Sequence, residues 1–147
     1  MKWIEVKARI SRQGAGGAVK TVRAVYMADA MTCAEAEARV IEHLTAYVPA
    51  GGTLSVTATA KTKIDEVMRA EPDAPGGSWY RVKLSLISAD ARTGKLKRAA
   101  VLQLVEGAGF EDALSRFRKG MRGTVADYEI ESIAATAYQD VFAHETA

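Results

Sequence analysis

The chain repeats itself. Trp3-Ile4-Glu5-Val6-Lys7-Ala8-Arg9-Ile10 returns as Trp79-Tyr80-Arg81-Val82-Lys83-Leu84-Ser85-Leu86, an offset of 76 residues. Gly17 and Lys20 match Gly94 and Lys97 at an offset of 77, and Ala36 and Arg39 match Ala113 and Arg116 at the same spacing. Later, Ala60, Thr62 and Val67 match Ala134, Thr136 and Val141 at 74. The offset changes at 11–16 and 45–53, which have the character of loops, where changes of length are tolerated. Self-similarity with the same order of elements predicts a tandem duplication and a pseudo-twofold axis. Such a pattern constrains shape strongly and chemistry hardly at all.

Each copy spells a ββαβ unit. Ile4, Val6, Ala8 and Ile10 alternate with Trp3, Glu5, Lys7 and Arg9, the period of a half-buried strand. Gly14-Ala15-Gly16-Gly17 turns the chain into a second strand over 19–28, and Asp90-Ala91-Arg92-Thr93-Gly94 leads into its counterpart over 95–105. Thr32-Cys33-Ala34-Glu35 is a capping box that opens a helix. Cys33, Ala36, Val40 and Leu44 fall on one stripe of that helix, and Phe110, Ala113, Phe117 and Met121 fall on the same stripe of the second. A third strand is expected from Thr53, and its counterpart from about Asp127. The tails Ile64-Asp65-Glu66-Val67-Met68 and Tyr138-Gln139-Asp140-Val141-Phe142 are expected to pack on the body, with their carboxylates closing a turn.

One helix over three strands is marginal alone. The expected fold is therefore α+β, with tandem duplicated units joined as a pseudo-twofold, mostly antiparallel, six-stranded sheet and two helices on one face. The expected domain organisation is a single pseudo-symmetric domain over 1–147. Copy one covers 1–69, a linker with Pro72, Pro75, Gly76 and Gly77 covers 70–78, copy two covers 79–142, and a tail covers 143–147.

Composition bounds the function without naming it. The apolar fraction of 48% and charged fraction of 26% are those of a soluble globular domain, and a net charge of +2 confines any polyanion binding to local patches. No signal-peptide or membrane-length apolar run is present in the sequence, so the expected setting is cytoplasmic, with no membrane partner. The single Cys33 excludes an intrachain disulfide and is expected in the core. His43 late in the first helix and His144 near the end have no partner spacing around them. The glycine clusters enter strands, whereas phosphate loops open helices, so they are hairpin turns. No catalytic residue, metal site or cofactor is expected, and the chain is expected not to be an enzyme.

What remains is the strand face turned away from the helices. It would display Trp3, Lys7 and Arg9 from copy one and Trp79, Arg81 and Lys83 from copy two. Cations interleaved with aromatics suit nucleic acid, the charges meeting phosphates and the rings stacking on bases. Glu5 in the same row, and Glu129 and Glu131 on the third strand of copy two, weigh against this. A solvated face whose charges pair across strands, a protein-contact face, and a face buried in a homo-oligomer stay open beside it.

Four blocks carry a resemblance: Met1-Lys2-Trp3-Ile4-Glu5-Val6-Lys7, Ala36-Glu37-Ala38-Arg39-Val40-Ile41-Glu42, Trp79-Tyr80-Arg81-Val82-Lys83-Leu84 and Gly123-Thr124-Val125-Ala126-Asp127-Tyr128. Together they resemble an uncharacterised domain-of-unknown-function family of short proteins from gut bacteria and their phages. This chain is richer in alanine and differs in its Gly14–Gly17 loop. The resemblance implies a bacterial or phage cytoplasmic setting and brings no activity or catalytic residue with it. The resulting expectation is a phage-associated, non-catalytic binding protein acting on a nucleic acid, a nucleotide or a host protein. Its alternative is a structural homo-oligomer with the sheet face buried.

Overall fold

The computed structural model describes residues 2–70, 77–123 and 127–143. The proline-bearing part of the expected linker and His144 lie outside the described residues. Along the chain run β1 (Lys2–Gln13), β2 (Val19–Ala30), α1 (Cys33–Leu44), β3 (Thr53–Lys61), β4 (Ile64–Met68), β5 (Ser78–Ala89), β6 (Leu96–Gly107), α2 (Phe110–Gly120), β7 (Asp127–Ala135) and β8 (Tyr138–Phe142). The class is α+β and mostly antiparallel. The expected single sheet is corrected to two sheets of four strands, ordered β3-β1-β2-β8 and β4-β6-β5-β7. Two compact units result: one runs up to Lys63 and resumes at Ala137, and the other is Ile64–Thr136.

In the first unit β1 and β2 form a twelve-residue hairpin from Lys2↔Ala30 to Gln13↔Val19. Alternation then puts Ile4, Val6 and Ala8 on one face, beside Tyr26, Ala28 and Ala30 of β2. Ala36, Val40 and Leu44 of α1 close over them in one buried cluster. The helix starts where the capping box predicts: Thr32 Oγ1 accepts from the Glu35 amide at 3.1 Å, and the Glu35 carboxylate accepts from the Met31 amide at 3.1 Å. Cys33 is half-buried against this cluster.

The second unit repeats the plan. Tyr80, Val82, Leu84 and Val105 meet Ala113, Phe117 and Met121 of α2. Gly107 lets strand and helix approach closely, because a Cβ there would stand 2.8 Å from the Ala113 amide nitrogen. Phe110 departs from its expected core place: it is 52% exposed, its ring tilted on Tyr80 at 4.9 Å. Helix α2 has no side-chain cap, Gly109 standing where Thr32 stands in α1. Asp112 still accepts from the Ala108 amide at 2.8 Å, as Glu35 does from Met31.

The correspondence extends to strand register. A register shift between Lys7 and Ala8 in β1–β3 recurs between Lys83 and Leu84 in β5–β7. Thr62 bonds the Trp3 carbonyl through its amide at 3.1 Å and its hydroxyl at 2.7 Å, and Thr136 bonds the Trp79 carbonyl at 3.0 and 2.7 Å.

The tails are strands, not closing turns, and each joins the sheet of the other repeat. β4 pairs in parallel with β6 over Ile64↔Leu102 to Met68↔Val105, and β8 pairs in parallel with β2 over Val25↔Tyr138 to Ala28↔Phe142. Chain length limits where each tail can pair. Lys61 stands level with Ile4 and Ala28 at one edge of its sheet. The seat beside β2 is three strand spacings across, roughly 14 Å, and its first residue lies about 10 Å back along the strand. The three-residue step from Lys61 to Ile64 spans at most about 11 Å. The tail therefore cannot reach the edge of its own sheet beside β2, and the equally short Ala135–Tyr138 step imposes the corresponding limit on β8. Asp65, expected in a turn, instead accepts from the Leu102 amide at 3.1 Å.

A cationic strand arm as the candidate functional site

The six residues expected on one exposed face lie in two different sheets. Trp3, Lys7 and Arg9 alternate along β1, and Trp79, Arg81 and Lys83 along β5. The face is not bare throughout. Met27 and its strand partner Val141 are fully buried on it, as are Leu104 and Trp79, the last at 2% exposure. Arg69 lies over the Trp79 ring at 5.7 Å. Trp79 is thus corrected from a stacking platform to a core residue, while Trp3 is half-buried. Lys7, Arg9, Arg81 and Lys83 are exposed.

The two repeats differ most in how their cations are answered. In the second unit Lys83 pairs with Glu131 at 3.6 Å, Arg98 with Glu129 at 2.6 Å and Lys97 with Asp90 at 3.8 Å. Ser85 Oγ also donates to Glu131 at 2.6 Å. That hydrogen bond first, and the Lys83 ammonium after it, hold the Glu131 carboxyl below the usual carboxylate range. The hydrogen bond from Arg98 to Glu129, and the Glu129 charge, raise the Arg98 pKa further. Lys83 thus stands exposed but beside a carboxylate of its own sheet.

The first unit has no such answer. Edge strand β3 runs Thr-Leu-Ser-Val-Thr-Ala-Thr-Ala-Lys, without a carboxylate, and Ser55 and Thr57 stand where β7 carries Glu129 and Glu131. Arg9 sits directly opposite Arg23, and Arg12 opposite Lys20. Among the described residues, none of these four, nor Lys7, is within ion-pair distance of a carboxylate. All five are exposed. Like charges directly opposite each other destabilise a hairpin, so this arrangement costs the fold something. At the positions matching Arg9 and Arg23, the second hairpin has Ser85 and Ala100.

Geometry makes the cations accessible. Pairing with β3 ends at Ser11, and pairing with β8 covers only Val25–Ala28. Arg9 is still flanked by Ser55 of β3, and beyond Ser11 only Arg12↔Lys20 and Gln13↔Val19 continue as a two-stranded end; Val19 and Val22 are exposed beside the charges. Lys7, Arg9 and Arg23 share one face of the arm, and Arg12 and Lys20 the other. At the root of the arm, small Ala58 and Ala60 leave a depression of about 110 Å³ between Glu5 and Lys7. Arg12, Lys20 and Arg23 are absent from the expected site, although the sequence carries their signal. From Val6 to Ala28 there are five Lys/Arg and no Asp/Glu. Among the described residues, no group of three or more His, Cys, Asp or Glu is placed to hold a metal ion, and no helix is long and apolar enough to cross a membrane.

The chain belongs to a protein family described as Domain of unknown function (DUF4494), which it matches over residues 2–144. No curated protein and no solved structure matches it.

Proposed function

For a chain of this family, we propose a binding role without turnover, in which the β1–β2 arm of the first unit engages the phosphate backbone of a nucleic acid. The observation that carries this reading is the pair of like-charged cross-strand contacts, Arg9↔Arg23 and Arg12↔Lys20, with no carboxylate answering them. A hairpin that keeps such pairs, where the matching hairpin has a serine, an alanine and three ion pairs, is suited to a counter-charge from outside the chain. With Trp79 buried, base stacking drops out, and the contacts left to the arm are with phosphates, which position a protein without reading sequence. A tandem duplication, supported by the matching registers, accounts for two hairpins of common origin whose charges have diverged. The setting that goes with this reading is a bacterial or phage cytoplasm, which rests on the sequence resemblance alone.

The test is fluorescence anisotropy with a labelled duplex oligonucleotide between about 50 and 200 mM salt, where each phosphate contact contributes a slope near −0.9 in log K against log salt. Arg9→Ala with Arg23→Ala is expected to lower the slope by about two and to weaken binding equally across sequences. Lys83→Gln, at a paired cation, is expected to change little. Binding that ignores salt, or that survives loss of both arginines, overturns the reading. A mass that rises with concentration in light scattering, and falls back in the double variant, would assign the arm instead to contact between copies.

A further inference from the structure

We propose that a second, independent site lies beside α2 in the second unit and takes a small molecule bearing a phosphate group. The same corner of the two repeats has been built in opposite ways. In the first unit it is filled: His43 of α1 stacks on Phe142 of β8 with ring centroids 4.3 Å apart and planes 4° apart, and Phe142 stacks on Tyr26 at 5.7 Å. In the second unit Gly120 stands at the position of His43, and Met68 at that of Phe142. What opens there is a cavity of about 610 Å³, within the range of small-molecule sites. Gly120 lets the Met68 thioether lie against the end of α2, since a Cβ at that position would stand 3.0 Å from its sulfur and methyl carbon.

Charge diverges together with shape. Arg69, Arg116 and Lys119 line the cavity, with Ser115 as a hydroxyl donor. The matching positions in the first unit are Ala143, Arg39, Glu42 and Ala38. One cation has become three. Asp112 is the carboxylate in the wall, and it is already engaged: it accepts from the Ala108 amide at 2.8 Å and from Arg116 Nε at 3.0 Å. Arg69 rests on the Trp79 ring, which limits the freedom its guanidinium loses on binding. The Arg69 fork and the Lys119 ammonium suit a phosphate, the fork by bidentate geometry and the lysine as a point charge, with Arg116 held on Asp112 beside them. Met68 and Ala70 offer an apolar wall for whatever carries that phosphate.

The experiment titrates the full isotope-labelled chain, at fixed ionic strength, with inorganic phosphate in one arm and adenosine monophosphate in the other. Saturable amide shifts are expected at Arg69, Ala70, Ser115, Lys119 and Gly120 in both arms. Tighter binding of the nucleotide means that the apolar wall contributes, and equal binding means that free phosphate is the ligand. Lys119→Glu, which restores the charge of Glu42, is expected to weaken binding about tenfold or more, the order of one charge-assisted hydrogen bond. Arg69→Gln should act likewise and, being remote from the helix core, serves as the control should the first variant lose its fold. Arg9→Ala with Arg23→Ala should leave these shifts intact, so that failure of the nucleic-acid reading and failure of this one are separable. Shifts that do not saturate, that gather on the β1–β2 arm, or that persist unchanged in both cavity variants overturn the proposal.

Discussion

Arg9 and Ser85 occupy the same position in the two repeats, and their surroundings show how one residue sets the electrostatics of a strand. Ser85 is buried and donates a hydrogen bond from its hydroxyl to Glu131, which also holds Lys83. Arg9 faces Arg23 and a strand without acids. The Glu131 carboxyl is held below its ordinary value of 4.5, chiefly by Ser85. A carboxylate whose folded pKa is lowered stabilises the fold above its unfolded pKa, and that contribution is lost as pH falls through the folded one. Glu131→Gln should therefore lower the urea midpoint at neutral pH, and the difference from the parent should shrink as pH drops below about 4.5. A difference that stays constant with pH would mean that Glu131 acts through packing alone.

At the scale of elements, the two helices are matched in length and burial but not in how they begin. Helix α1 has the Thr32 hydroxyl on the Glu35 amide, whereas α2 starts from Gly109 without a side-chain bond. Thr32→Ala should cost about 1 kcal/mol in chemical denaturation, and Gly109→Ser should gain only a few tenths. No loss in the first variant would show that Glu35 alone, through Met31, holds the start of the helix. The capping box, both hairpins and the start of β3 were legible because each rests on signals a few residues long. The tail strands were not. In β4 the register shifts between Ile64 and Glu66, which breaks the period-two pattern, and the short step after Lys61 keeps it from the edge beside β2, a matter of reach rather than composition. Trp3 and Trp79 share one position in the pattern, yet only Trp79 is fully enclosed, which local sequence does not encode. Lys7 and Arg9 were visible as an exposed row. Arg12, Lys20 and Arg23 join them only once the register sets Arg9 against Arg23, and aligning the repeats hides the acid-free stretch by comparing it with an ion-paired one.

For the whole molecule, the exchange of tails ties the stability of each unit to the other. The first unit keeps β8 only if the chain returns at Ala137, and everything between Lys63 and Ala137 is the second unit. While the second unit is folded, its ends are fixed and β8 is delivered to β2. Once it unfolds, the same segment becomes a flexible loop, whose closure costs roughly 4 kcal/mol for a length of some seventy residues. That is a large share of the 5–15 kcal/mol typical of a domain, so neither unit should persist long without the other. The two tryptophans make this measurable, because Trp3 lies in the first unit and Trp79 in the second. Trp3→Phe leaves a fluorophore reporting the second unit, and Trp79→Phe leaves one reporting the first. Each variant should show a single transition whose midpoint coincides with that of its own far-ultraviolet circular dichroism. Fluorescence midpoints that part from the dichroism, with one unit melting ahead, would mean that the units unfold independently despite the exchanged strands. In that case a lesion in β8, such as Val141→Ala, should lower the midpoint reported by Trp3 and leave that reported by Trp79 where it was. Under the coupling argued here, the same lesion lowers both.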